Sequence, residues 1–466
     1  GVQTCALPIL HAACSCCARR RPVRGAHFTQ GGHLGAVEQV AFHHIFPALR
    51  IEPGQEPRLH IGYSFANADV TFLATLPPVK AGYGYSTIEG KTYTLVLTRG
   101  TVTAPQGGLI DVAGSVFRVP DMTRKPAPAE ITLRTVSSLT AALSLLGLPA
   151  FGFLQKADRP VDLGQGEARL VTQLNLPLQK KVALKDVDYL AYGTVTGFRS
   201  DVLVPDRSLT AAELTVSANP DGMSISGQGQ IGQVPFDVTF TQGFHPEDQG
   251  KARIEGSVAL SQTTATEFGL GLPDGMVKGE GQGQVVIDLT KDQPGKLSLV
   301  SDLNRIGLSI PEVAWSKPAA STGALRAEVT LGATPRVDRL ELQAAGLAAK
   351  GTVTMRAGGG LDLARFDEVA VKDWFTGGVE IKGRGPGKDV ALTVTGGTAD
   401  LRRMPDASAR KSSGSLPTNH DSLRHVRLQL SFEEQDRPPG RRPRSRHPRA
   451  ERRGGCGAAR SEERRV

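Results

Sequence analysis

Apolar and polar residues alternate along most of the chain between residues 51 and 402. The stretch RLHIGYSF (58–65) puts leucine, isoleucine, tyrosine and phenylalanine on one face and histidine, glycine and serine on the other. KTYTLVLT (91–98) and ALRAEVTL (324–331) repeat the scheme. A period of two is typical of a β-strand with one buried face and one wet face. The sequence therefore predicts strands over most of this region.

Short turn sequences separate the predicted strands. They are NPDG (Asn219–Gly222), LPDG (Leu272–Gly275), DQPG (Asp292–Gly295) and AGGG (Ala357–Gly360). This spacing favours an antiparallel meander of roughly twenty strands. An open sheet of more than ~10 strands usually curls or splits. We therefore expect a mainly β fold: a long curled antiparallel sheet, folded like a taco, with one or two short helices and disordered ends.

One segment, Thr135–Gln155, departs from the strand pattern. It is uncharged, and Val136, Leu139, Leu143 and Leu146 recur at the spacing of one helix face. A transmembrane span is the alternative, because a span needs about 20 predominantly apolar residues. Five Ser/Thr residues, two glycines and a proline argue against a span. We predict a short amphipathic helix packed on the sheet.

The two ends of the chain differ from its middle in composition. Gly1–Ile9 and Arg460–Val466 resemble translations of two paired sequencing adapters, so we expect a fragment of a longer protein. The expected organisation is a doubtful, partly adapter-derived segment over residues 1–45, a β-rich region over 46–402 with a possible boundary near 205, and a basic low-complexity tail over 403–466. The tail is expected to be out of frame.

Charge and cysteine follow the same division. The tail holds 16 Lys/Arg against 8 Asp/Glu, so the overall charge of +9 comes from the ends. Arg437–Gly455 could be interpreted as a nucleic-acid-binding arm, and Cys14–Cys17 as a metal or disulfide cluster. Out-of-frame translation of GC-rich DNA accounts for the arm, and no further ligands follow the cysteines at metal spacing. We predict neither a nucleic-acid partner nor a metal site.

The middle of the chain offers little for catalysis. Residues 51–402 contain no cysteine and two histidines, His60 and His245, both expected to be solvated. GQGQIG (Gly227–Gly232) matches the dinucleotide fingerprint in form, but a predicted strand follows where that site needs a helix. Asp362, Asp367 and Glu368 form the densest acidic group and fit a solvated strand face. We therefore expect no catalytic residue, no cofactor and no enzyme activity.

Several segments carry a resemblance to a known family. They include PGQEPRLHIGYSFANADVTFLATLPPVKAGYGY, GLIDVAGSVFRVPD and GLGLPDGMVKGEGQGQVVIDL. The closest matches are SDLNRIGLSIP (301–311), Trp315-Ser316-Lys317-Pro318 and Gly397–Leu401. Over roughly residues 46–402 the chain resembles the central and C-terminal part of AsmA-like proteins of the YhdP type, with Trp315, Lys317 and Pro318 as family-motif residues.

The resemblance implies both a location and a function. Such proteins are anchored in the inner membrane of Gram-negative bacteria by one N-terminal helix, and a repeating β-groove body extends through the periplasm toward the outer membrane. They are implicated in phospholipid transport and envelope integrity. The implied partners of this chain are phospholipid and the two membranes, with attachment through an anchor helix that lies outside the fragment.

The residues themselves are consistent with a groove. Aromatic residues make up only 5% of the chain, and small aliphatic side chains would leave a curled apolar face incompletely filled. The expected groove positions are Ile254, Val258, Leu260, Val285, Ile287, Leu289, Leu297 and Leu299. For each of them, core packing without a ligand is the alternative. For the whole chain, the alternative is a structural or adhesin-like β-solenoid that binds no lipid.

Overall fold

The computed structural model describes the backbone of residues 34–46, residues 60–71, 77–148, 160–179, 186–357, 359–385 and 390–400, and four single positions near these ranges. The predicted disordered ends, and most of the predicted tail, lie outside the described residues. The possible boundary near 205 falls in the turn between two paired strands.

Twenty-one strands of the described chain form one sheet, and three more form a small second sheet. Every pairing is antiparallel, and most strands pair with the strands next to them in the chain. The predicted mainly β, antiparallel meander is confirmed. The strands of its first part are β1 Leu34–Phe46, β2 His60–Val70, β3 Val79–Glu89, β4 Thr92–Thr103, β5 Leu109–Asp111, β6 Val116–Val119, β7 Ala127–Ser138, β8 Gln165–Leu178 and β9 Asp188–Val204.

The second part of the chain continues the large sheet and also supplies the small one. The small sheet contains β14 Val277–Lys278, β17 Gly307–Ile310 and β18 Trp315–Lys317. The large sheet continues through β10 Arg207–Asn219, β11 Gly222–Ile231, β12 Val234–Gly243, β13 Lys251–Leu260, β15 Gly281–Thr290, β16 Lys296–Ser301, β19 Ala324–Thr330, β20 Arg336–Ala344, β21 Leu347–Met355, β22 Leu361–Val371, β23 Phe375–Lys382 and β24 Ala391–Ala399.

Turn chemistry explains why the strands end where they do. Between β10 and β11, the side-chain oxygen of Asn219 accepts hydrogen bonds from the backbone N–H groups of Asp221 (3.1 Å) and Gly222 (3.0 Å). This Asx turn reverses the chain without help from the rest of the sheet. The predicted turns at Asp292–Gly295 and Ala357–Gly360 likewise join neighbouring strands, whereas Leu272–Gly275 leads into the small sheet.

The two α-helices are short: α1 Leu139–Leu146 and α2 Gln262–Glu267. Helix α1 begins where the Ser138 hydroxyl accepts a hydrogen bond from the Ala141 N–H (3.1 Å), and it packs on the sheet as predicted. Val136 was expected on this helix and instead lies in β7, because ladder pairing with β8 continues through Ser138. No helix of the described residues has the length and apolarity needed to cross a membrane.

The large sheet curls in its second part. The N–H of Gly360, in the turn between β21 and β22, donates to the carbonyl of Gly269, in the connection that follows β13 (3.2 Å). Six strand-to-strand steps separate β13 from β22 in the sheet. Strand twist accumulates across a sheet, and the contact joins two positions that lie six strands apart, as in a curled sheet. We call the face of the large sheet that carries Leu260 and Leu325, which pack with the small sheet, the inward face.

Candidate functional site

Apolar residues run across twelve consecutive strands on the inward face of the second part. The Cα partners join into one row, and none of its members carries a charge. This first row contains Val216, Ile225, Phe240, Ile254, Ile287, Leu297, Val329, Val337, Val353, Ala364, Ile381 and Leu392.

A second apolar row lies two or three residues away from the first row along each strand. It contains Val238, Gly256, Val285, Leu299, Ala327, Leu340, Gly351, Phe366, Val379 and Val394. We call the two rows, with the other inward residues of the large-sheet strands from β10 to β24, the apolar face. The predicted residues Val258, Leu260 and Leu289 also lie on it, since they alternate with outward residues along β13 and β15.

The eight predicted groove residues are thus brought together on one face. Ile254, Ile287 and Leu297 are direct neighbours across β13, β15 and β16, and Val285 is paired with Leu299. Direct cross-strand neighbours lie about 4.5–5.5 Å apart at Cβ. Side chains at these positions therefore form a continuous apolar surface.

Burial distinguishes this surface from an ordinary core. Of the eight residues, only Val285 is buried, and the other seven are half-buried. Of the eight residues, Leu260 alone packs against one of the clusters of buried side chains in the described part of the chain. A fully buried core residue typically touches neighbours on every side. At these positions the apolar face is therefore less buried than the core of β2–β7.

The outward face of the same strands has the opposite chemistry. Ion pairs join neighbouring strands at Arg253–Asp288 (2.8 Å) and Arg365–Glu380 (2.7 Å). Arg339 pairs with Glu341 along its own strand (2.7 Å). The three arginines are about half exposed, so they mark the wet side of the sheet.

Trp315, Lys317 and Pro318, which the resemblance predicts to be motif residues, do not lie in the apolar row. Trp315 and Lys317 belong to β18 of the small sheet and are each 1% exposed, whereas Pro318 is exposed. Trp315 donates its indole N–H to the carbonyl of Ala345 (3.0 Å), in the turn that joins β20 to β21. The small sheet thereby fastens to one rim of the apolar face, and the role of Trp315 is structural.

Lys317 holds the loop around it. Its Nζ donates to the carbonyls of Leu303 (2.8 Å) and Ile306 (2.7 Å), and to those of Pro318 and Ser321. Burial lowers the pKa of Lys317, and the nearby Asp302 partly opposes that shift. Nothing in the period-two pattern indicates a buried lysine, so sequence reasoning reached this residue only through the family resemblance.

The other candidates from the sequence are surface groups. His60 and His245 have half-exposed side chains near Glu89 (3.7 Å) and Asp221 (3.3 Å). Gly227–Gly232 lies in β11 and the turn that leads into strand β12, so no helix receives a pyrophosphate there. No group of His, Cys, Asp or Glu among the described residues is arranged to hold a metal ion.

A polar cleft lies at the edge of the sheet between β23 and β24. Its lining includes Asp373, Trp374, Asp400 and Arg402. Asp400 pairs with Arg402 (3.0 Å), and Asp373 pairs with Arg403 (3.1 Å). These ion pairs neutralise the acids, so the cleft has none of the character of an acyl-chain site. The apolar face is the better candidate.

The chain was also compared with known proteins. No family model, curated protein or solved structure matches it.

Proposed function

We propose that the apolar face is a groove for the acyl chains of phospholipids. On this proposal the chain is the periplasmic segment of an AsmA-like protein that carries phospholipid between the inner and outer membranes and supports envelope integrity. The single observation that carries it is the uncharged row across twelve strands, ten of whose twelve members are half-buried.

The energetics support the same ligand class. Burial of one methylene contributes about 0.8 kcal/mol, so each methylene that lies on the apolar face strengthens the binding of an acyl chain. Desolvation of a charged head group costs free energy, so on this proposal the head group stays in water at the rim of the face. Movement along such a surface breaks no covalent bond, which suits a chain in which we expect no catalytic residue.

The attachment to membranes rests on the family resemblance. The anchor in the inner membrane and the contact with the outer membrane belong to parts of the protein outside the described residues. The groove proposal does not depend on either, because the apolar face is a property of β10–β24 alone.

A second candidate is supported by the first part of the sheet. There, 17 buried residues form a filled core that leaves no surface for a lipid. A structural or adhesin-like β-solenoid would have such a core throughout. The two candidates therefore differ in whether the apolar face of β10–β24 has a ligand.

Binding of a fluorescent fatty acid tests the proposal. Ile287→Asn puts an amide in the first row, and an amide without a partner costs about 1–3 kcal/mol in a protein interior. We expect affinity to fall by about tenfold or more. Val286→Asn is the matched control, because Val286 is the next residue and faces outward.

The proposal requires that the unaltered chain binds the fatty acid and that only Ile287→Asn weakens binding. Circular dichroism would establish that both variants fold. Absence of binding to the unaltered chain, or equal binding by the two folded variants, would overturn the groove and favour the structural candidate.

A further inference from the structure

The connection between β13 and β15 contacts two distant parts of the large sheet, at β10 and at the turn between β21 and β22. It begins with helix α2 and continues through Phe268–Leu272, which we call the strap. The strap then leads to the small sheet at β14, whose Val277 packs against the same buried cluster as the inward residues Leu260 and Leu325. This packing places the connection on the inward side of the large sheet.

The near end of the strap is firmly attached. The guanidinium of Arg207, at the start of β10, donates to the Glu267 carboxylate (3.1 Å) and lies 5.1 Å from the centre of the Phe268 ring. The Thr264 hydroxyl also donates to the carbonyl of Ala259 (2.8 Å). An ion pair, a cation–π contact and a side-chain hydrogen bond therefore fix this end.

The far end of the strap is held lightly. It reaches the turn between β21 and β22, where the Gly360 N–H donates to the Gly269 carbonyl (3.2 Å). Gly269 and Gly271 have φ of 62° and 67°, and Gly359 and Gly360 have φ of 99° and 86°. Four glycines with positive φ lie at this junction, and glycine has no side chain that could pack there.

The strap also carries apolar side chains that the core does not take up. Phe268, Leu270 and Leu272 are 37%, 43% and 40% exposed. Between the two ends of the strap, the sheet passes through β15, β16, β19 and β20. The apolar positions of these strands, including Ile287 and Leu297, therefore lie between the two parts of the sheet that the strap contacts.

We infer that the strap is a gate through which acyl chains enter and leave the groove sideways. This inference rests on the proposed function and adds the route of exchange. The gate opens at the glycine junction and stays anchored at Arg207. Its exposed leucines, Leu270 and Leu272, offer apolar surface to an acyl chain that passes the open junction.

A disulfide across the junction tests the gate. A Cβ placed on Gly271 would lie 3.9 Å from the Cβ of Leu361, within the 3.5–4.5 Å range of disulfides. The variant Gly271→Cys with Leu361→Cys would be made with the five native cysteines replaced by serine. Association and dissociation rates of a monomeric fluorescent fatty acid would be measured before and after reduction, with each single-cysteine variant as control.

We expect the oxidised form to exchange fatty acid at least about tenfold more slowly than the reduced form, with reduction restoring the rate. Equal rates in the two forms, with binding intact, would overturn the gate and leave the groove standing. Absence of binding to the reduced form and to the unaltered chain would overturn the groove and the gate together.

A second variant covers the case in which cysteine at residue 271 prevents folding. Arg207→Gln removes the ion pair at the anchored end, and we expect it to speed dissociation several-fold. Arg199→Gln is the control, since Arg199 lies on the same hairpin and pairs with Asp201 instead (3.1 Å). Equal dissociation rates for the two folded variants would contradict the gate.

Discussion

Two regions of the large sheet share one strand pattern and differ in how they treat their apolar face. In β2–β7, which we call the first region, Ile61, Tyr63 and Phe65 are all less than a tenth exposed. In β10–β24, the second region, Ile254 and Val258 occupy equivalent alternating positions and are half-buried. The alternation of residues is the same, so alternation alone does not decide whether a face becomes a core.

The size of the inward side chains accounts for the difference. In the first region Tyr63 and Tyr93 approach to 3.3 Å between their hydroxyl oxygens, and the ring of Tyr93 meets that of Phe117 edge-on at 6.1 Å. Aromatic side chains bury more area than aliphatic ones, and helix α1 adds Ala141 to the same core. The second region presents mainly Val, Leu, Ile, Ala and Gly, which bury less area for each residue.

Leucine truncation in each region gives the largest expected contrast. Leu97 in β4 is 2% exposed within the core of the first region. Leu97→Ala should lower the free energy of unfolding by roughly 3–5 kcal/mol, because it leaves a cavity. Leu297→Ala removes a half-buried side chain and should cost only about 1 kcal/mol. Urea unfolding measures both, and equal losses would contradict an unfilled second region.

A substitution of Lys317 tests what holds the small sheet together at the rim of the second region. Lys317→Met keeps the length of the side chain and removes the ammonium that four carbonyls accept from. We expect a loss of about 2–3 kcal/mol in the free energy of unfolding, since buried carbonyls lose their donor. Trp315 fluorescence would report the small sheet directly. Unchanged stability and fluorescence would show that apolar packing, as in the first region, closes this rim.

A substitution of Asp338 is expected to change the unfolding free energy least, and this change should depend on pH. The hydroxyl of Thr330, and then the guanidinium of Arg336, hold the pKa of Asp338 below its ordinary value. Its contribution to stability is therefore present above the ordinary aspartate pKa near ~3.9 and is lost as pH falls through the lower folded value.

Asp338→Asn should consequently lower the unfolding free energy by less than about 1 kcal/mol at neutral pH. The difference from the unaltered chain should vanish in strong acid. Thermal unfolding at the two pH values checks this, with the exposed Asp274→Asn as control. A difference that grows as pH falls would have the wrong sign and would contradict the assignment.

The sequence predicted the strands well because alternation is local. RLHIGYSF overlaps β2, and the turn at Asn219–Gly222 has a side chain that forms it. Helix α1 was predicted in the right segment, but its predicted start was too early, because Val136 fits the period of a helix as well as that of a strand. Its place in β7 depends on pairing with Arg169 in β8, which is distant in the chain.

The groove positions were predicted as alternating residues, but their assembly depends on non-local geometry. The row from Ile254 through Ile287 to Leu297 follows from strand register, and register is fixed only when the strands pair. The strap could not be predicted at all. Its contact joins Gly269 to Gly360, and no local signal in FGLGLPDG indicates which turn it meets.

Photo-crosslinking at four positions tests the central claim most directly. Leu299 and Val300 are adjacent in β16, with Leu299 on the apolar face and Val300 facing outward and 50% exposed. Leu95 and Val96 are the matching pair in the first region, where Leu95 is buried. A photoreactive side chain would be placed at each, in a chain expressed in the bacterial periplasm, and attached phospholipid would be detected by mass spectrometry.

We expect phospholipid to be attached at Leu299 and at none of the other three positions. Label at Val300 as well as Leu299 would indicate adhesion of lipid to the surface. In folded protein, the absence of label at Leu299 would contradict the claim that the second region holds acyl chains where the first region holds a core.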